Sequence, residues 1–440
     1  MRSRFRILTC VLAATGLAAC GDEDPVGLVG WLPDGAVRTI QVVLEAPEFL
    51  AWDSARAGYT RPTSAQHLVV AEDFGGALDS HVLLRFATLP KTVRYDSAGT
   101  KIDTLPAFVG GEVVARVDTA ATRAPGPVTL ILFRTAEDWD ARSATWTMRV
   151  DTGAVDLLWT EDGGTRAEQL GTASYTPGDT ILRIPVDSQA VAMLGDTLAP
   201  SRGALLVAET PGARIHINSA RLRLRARPSA KPDTIVDDSV SLVAGTFIYT
   251  PNAVNDGSIL VGGSPAWRSF LRLKERLDTL SVPCPAEPEG CRLRLSDATL
   301  NFAGLQLQPV GAPPGLIPTS PLIVDARVAL APEGVPIARS PVSERVGGTT
   351  VDPAAVDGGA AEGRIEVPIT AVIRGLLTPP GADEDRQPTT LALLGMTDFS
   401  NSQVFEGGQI GVISFGSATS GDAAPRLRLI LSVTSEVRLR

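Results

Sequence analysis

The sequence predicts an all-β fold: two tandem antiparallel β-sandwich domains of jelly-roll type, with few short helices. Three observations predict it. Short runs of alternating apolar and polar residues recur along the chain, separated by clusters of Gly, Pro, Asp and Asn, as half-buried strands and their turns do. Glycine and proline number 42 and 33 of 440 residues, enough for many turns and too few for a low-complexity chain. No amphipathic pattern of helical period reaches full helix length.

In chain order, the first series of strand patterns covers Thr39–Glu45, His81–Phe86, Glu112–Asp118, Val128–Arg134, Ala204–Glu209 and Arg214–Arg225. The second covers Ser239–Tyr249, Ser269–Leu273, Cys291–Phe302, Leu322–Leu330, Gly363–Thr370, Thr389–Leu394, Gln409–Phe415 and Arg426–Val433. Two stretches, Ser188–Gly195 and Thr370–Leu377, have the pattern of a two-turn helix. The two series echo each other in order. Val82–Phe86 matches Ser269–Leu273, and Glu112–Val117 lies on Asp297–Phe302. Arg183–Val186 matches Glu366–Ile369, each followed by one of the helical stretches, and Ser219–Leu224 matches Ala424–Leu429. A duplicated domain explains the order. It sets the expected organisation as a leader at 1–19, a tether at 20–36, domains at 37–228 and 238–440, and a stiff Pro-containing linker at 229–237.

The leader reading rests on the N-terminus. Arg2, Arg4 and Arg6 precede an apolar run from Ile7 to Ala19, which is shorter than the roughly 20 residues a permanent span requires. The run ends in Leu17-Ala18-Ala19-Cys20, which resembles the lipobox of bacterial lipoproteins. The resemblance implies that Cys20 carries acyl chains and begins the mature protein, tethered to a membrane through its lipid. With Gly21 rather than an acid after Cys20, it favours the outer membrane of a cell envelope.

Of the remaining cysteines, Cys10 lies in the leader, and Cys284 and Cys291 form an even pair in an exported chain, which reads as a disulfide. The formal charge is -9, and the leader carries arginines and no acid, so the mature chain is more acidic still. An acidic surface excludes nucleic acid as the expected partner.

Candidate binding residues fall in two groups. Trp139, Trp146 and Trp159 crowd one stretch with Glu137, Asp138, Asp140, Asp151, Asp156, Glu161 and Asp162. Aromatic faces and carboxylates together suit a sugar, the rings covering C–H faces and the acids accepting hydroxyls. The same residues also suit a core cap whose acids solvate loops. Arg221, Arg223 and Arg225 alternate with Leu222, Leu224 and Ala226, so a strand puts the guanidinium groups on one face. That face suits uronate or phosphate groups of an anionic polymer, or cross-strand pairing with acids.

No catalytic residue is expected. The chain has no Gly-x-Ser-x-Gly elbow or phosphate loop, and His67, His81 and His216 are scattered in sequence. Neither a metal nor another cofactor is expected, since Cys284 and Cys291 have no histidine nearby and the EF-hand spacing is missing between Asp151 and Asp162.

Leu83-Leu84-Arg85-Phe86, the Trp139–Trp146 stretch, Val186–Leu194 and Pro425-Arg426-Leu427-Arg428-Leu429 together resemble the paired DNRLRE-type sandwich modules, which are related to carbohydrate-binding modules. The resemblance covers most of residues 38–228 and, more loosely, 238–440. It implies tandem sandwiches and polysaccharide binding by the first. The expected function is a non-catalytic surface lipoprotein that binds or displays, with polysaccharide as the ligand of domain 1. The alternatives are a structural or adhesive spacer for an envelope protein and, last, a polysaccharide-active enzyme.

Overall fold

A computed structural model describes residues 37–96, 98–196, 203–251, 257–274, 277, 279–284, 287–331, 334–356, 363–377, 389–398 and 404–434. Cys20, with the leader and tether, lies outside the described residues. The chain is all-β and antiparallel, as the alternation predicts. It divides into two compact bodies. The larger holds 42–277 and 302–429, and the smaller is described at 37–41, 279–284, 287–301 and 430–434.

The main sheet of the larger body has nine strands. Its order is Arg166–Tyr175, Val128–Thr135, Ala204–Ala208, Leu78–Phe86, Val236–Tyr249, Ala213–Arg227, Ala107–Val117 and Ile181–Asp187, with Leu68–Phe74 laddered onto two of them. Alternation explains most of it. Ile181–Asp187 buries Leu182, Ile184 and Val186 and turns Arg183 and Asp187 outward. The inward residues join Val113, Ala115, Leu130, Leu132, Leu222 and Leu224 in one core. The two end strands are consecutive in sequence and lie against each other: a Cβ on Gly171 would sit 2.3 Å from the Pro185 carbonyl oxygen. Only glycine permits that approach, which folds the sheet over its core.

Ala204–Ala208 breaks the alternation, since all of its residues are buried. Leu206 faces the main core, while Leu205 and Val207 face a second cluster with Leu83, Trp139, Trp159 and Ile248. A strand covered on both faces reads as a continuous apolar run.

Both expected helices form. Ser188–Gly195 starts at Asp187, whose carboxylate accepts the Ala190 N–H at 2.8 Å, and Thr370–Leu377 follows Ile365–Pro368. The sequence echo also extends to strand order. Ala213–Arg227, Ala107–Val117 and Ile181–Asp187 are neighbours in the nine-stranded sheet; Arg426–Thr434, Ala298–Leu307 and Ile365–Pro368 are neighbours in a four-stranded one.

The strands do not sort by the expected domain boundary. Residues 229–237, expected as a linker, lie where two paired strands connect, with Arg225 opposite Asp237 and Arg221 opposite Ser241. Val236–Tyr249 continues onto Leu78–Phe86, with Phe247 opposite Val82. Leu50–Arg56, from the expected first domain, instead ladders onto Arg268–Leu273, with Phe270 opposite Ser54. Thus 236–249 completes the first sheet, and the early strand 50–56 joins one built from the second half of the chain. Val236–Tyr249 supplies the same apolar inward face as its neighbours, so no break in pattern marks the exchange.

In the smaller body, Thr279–Cys284 pairs antiparallel with Glu287–Arg294. Cys284 and Cys291 sit on facing strands of this ribbon; their side chains lie outside the described residues.

Candidate functional site

The loop between Val128–Thr135 and Arg166–Tyr175 carries the three tryptophans that the sequence singles out. Glu137 organises it. Its carboxylate accepts the Thr160 N–H at 3.0 Å and the Thr160 hydroxyl at 3.1 Å, together with the Thr165 hydroxyl, and Arg149 Nε lies 3.8 Å away. Burial opposes ionisation of this carboxyl, but the hydrogen bonds and Arg149 together outweigh it and hold its pKa below the usual range.

The loop does not present three open indoles. Trp139 and Trp159 are 2 % and 5 % exposed, packed on Leu83, Leu205, Val207 and Ile248. Trp159 Nε1 donates to the Thr145 carbonyl at 3.0 Å, and the Arg85 guanidinium covers the Trp139 ring at 4.5 Å. Two of the three rings are therefore core, as the core-cap alternative has it, and Trp146 is the one of the three left for a ligand. The outer face of the sheet is itself apolar here, and large flat rings are what shield it from water.

Trp146 differs. It is half-buried, and its orientation is set from behind by His81, whose ring centroid lies 4.9 Å from that of the indole. His81 Nδ1 lies 2.6 Å from the Gly163 carbonyl oxygen, which accepts only, so Nδ1 carries the proton. Burial lowers the His81 pKa to about 4, keeping the ring neutral at ordinary pH. Gly163 is also needed, because a Cβ there would fall 2.8 Å from the Trp146 ring.

In front of Trp146 lies a cavity of about 210 Å³, walled also by Phe247, Tyr249, Trp267, Pro251 and Pro265. Phe247 and Tyr249 come from the end of a strand, with centroids 6.0 Å apart and nearly parallel rings. Trp267 enters just before Arg268–Leu273. Thr145 and Thr147 supply polar atoms at the wall. Sequence reading missed Tyr249, Phe247 and Trp267. The available signal was an aromatic pair spaced by two at a strand end and a tryptophan after Gly262-Gly263-Ser264-Pro265, with nothing local to join them.

The chain matches no family model and no curated protein.

The arginine stripe lies on one outer sheet face, as alternation requires, but its members differ. Arg223 donates to Glu112 at 2.9 Å and to Asp237 at 2.7 Å, and Glu112 also accepts from Arg183 at 2.8 Å. These contacts raise the Arg223 pKa, so Arg223 belongs to a cross-strand ion-pair network. Arg221 and Arg225 are exposed.

Two of the scattered histidines meet. His67 and His216 pack edge to face with centroids 5.5 Å apart, and His67 Nε2 lies 3.3 Å from Asp118. Burial, with Arg214 and His67 nearby, lowers the His216 pKa well below normal. Neighbouring Arg214 is buried too and donates to the Gly315 and Ile317 carbonyls at 2.9 and 3.1 Å. Among the described residues, no three His, Cys, Asp or Glu side chains gather as a metal site.

Proposed function

We propose that this chain is an exported, lipid-anchored envelope protein that binds polysaccharide without chemistry, seating one sugar ring against Trp146, Tyr249 and Trp267. The observation that carries the reading is the convergence of these aromatic side chains from three separate segments on one cavity. Its volume, about 210 Å³, is below the roughly 300–1,000 Å³ of pockets for drug-sized ligands and suits a single ring. Indole and phenol faces stack on the C–H faces of a sugar, while threonine groups offer hydrogen bonds at the rim.

The anchor rests on the Leu17–Cys20 sequence. Lipid with more than one chain holds firmly, where a single chain holds marginally. The resemblance to DNRLRE-type modules supports the same reading. A Cys284–Cys291 disulfide belongs to the same reading, because an oxidising compartment permits it.

A glycan array probed with the soluble chain from residue 21 onward tests the ligand. Binding that disappears in Trp146→Ala and Trp267→Ala supports the cavity. Silence across the panel would leave a spacer for a protein partner as the better reading, and turnover of a glycan would make the chain an enzyme. Fatty-acid labelling that is lost in Cys20→Ala tests the anchor. A mass increase on reduction and alkylation tests the disulfide.

A further inference from the structure

We propose a second site, distinct from the aromatic cavity: a groove on the outer face of the nine-stranded sheet, between Arg116 and Arg221, that binds the carboxylate of a uronate unit in an acidic polysaccharide. The ladder builds it. Arg116 lies opposite Ser219 on one side and Ile181 on the other. One row along, Arg221 lies opposite Val114 and Ser241. Arg116 and Arg221 are thus diagonal neighbours on adjacent strands, a placement that brings long side chains within reach of each other. All these residues line one groove of about 510 Å³.

The charges in this groove are unbalanced. Of the acids on this face, Glu112, diagonal to Arg221, is engaged by Arg183 and Arg223, Asp237 is engaged by Arg223, and Asp187 caps the helix Ser188–Gly195. Arg116 and Arg221 are exposed, and among the described residues neither has an acidic partner. Two neighbouring guanidinium groups repel each other unless an anion lies between them, and paired guanidinium N–H donors match a carboxylate in a planar, bidentate grip.

The rest of the groove selects the kind of anion. Val114, which is buried, and Ile181, which is exposed beside Arg116, supply apolar lining next to the two arginines, and Ser219 and Ser241 line the groove with hydroxyl side chains. A sugar ring bearing a carboxylate uses all three features: ring C–H on the apolar lining, carboxylate between the arginines, hydroxyls against the serines. A free phosphate uses only the charge. The chain as a whole has a formal charge of -9, so long-range repulsion opposes any polyanion and the contact has to be local and sensitive to salt.

Isothermal titration of the soluble chain with polygalacturonate, its fully methyl-esterified form and inorganic phosphate tests the site. Polygalacturonate is expected to bind at low ionic strength and weaken as salt rises, while the ester does not bind. Arg116→Gln combined with Arg221→Gln is expected to weaken binding by about tenfold or more. Salt-sensitive binding of polygalacturonate that remains in Trp146→Ala with Trp267→Ala and is lost when Arg116→Gln and Arg221→Gln are added separates this site from the aromatic cavity. Both arginines are exposed, so the double variant is expected to unfold at the same temperature; Arg221→Glu alone gives a second, charge-reversed variant. Undiminished binding by both variants overturns the proposal. So does equal binding of the ester, full displacement by phosphate at matched charge, or no binding at low salt.

Discussion

At the scale of single residues, burial separates tryptophans that look alike in sequence. Trp139→Ala removes a ring that is 2 % exposed and is expected to cost about 3–5 kcal/mol, read as a lower urea midpoint at unchanged slope. Trp146→Ala removes a half-buried ring from a cavity wall, so a smaller loss of stability and a larger loss of glycan binding are expected. His81 makes a pH prediction. Its folded pKa of about 4 lies below the ordinary histidine value of 6.5, so the unfolded chain takes up its proton first as pH falls. Stability from His81 is complete above about pH 6.5, declines towards pH 4 and levels off below it, a loss of about 3 kcal/mol. His67 and His216 shift in the same direction and deepen the decline. Urea melts across this range, compared with those of His81→Gln, isolate its share; parallel curves would sink the assignment.

At the scale of elements, local chemistry acts through caps and strand faces. Asp187 ends a strand and starts the helix Ser188–Gly195 by accepting the Ala190 N–H. Asp187→Ala is expected to cost about 1 kcal/mol in a denaturant melt, because a helix-start N–H loses its acceptor. The Ala213–Arg227 strand shows the two faces in one segment. Leu222→Ala empties a core position and is expected to cost about 2–5 kcal/mol, whereas Arg225→Ala on the exposed face stays within about 0.5 kcal/mol. Short helices at 188–195 and 370–377 were legible because each follows an apolar strand with a proline in it and carries its own helical pattern. The paired role of Arg223 was not, since its acids come from Glu112 and Asp237 on flanking strands.

At the scale of the whole molecule, strand order is the main result. Leu50–Arg56 pairs with Arg268–Leu273, whose Phe270 and Leu271 are fully buried. A chain beginning at residue 57 therefore exposes an apolar strand edge in the sheet built from the second half, and aggregation is expected. Size-exclusion chromatography checks it; a monodisperse truncated chain would mean that the sheet closes without 50–56.

Composition and period two were enough for the all-β class, the inward and outward residues of regular strands, and the helices after the two matched strands. Each depends on a residue and its near neighbours. The tertiary structure alone decided which strands pair, which tryptophans are buried, and that Trp146, Tyr249 and Trp267 share a wall. Alternation determines the face of a side chain but leaves open the neighbouring strand, because any strand with an apolar face can bury that of another. Sites assembled from several neighbours, such as the aromatic cavity and the Arg116–Arg221 groove, therefore become visible only once the ladder is known.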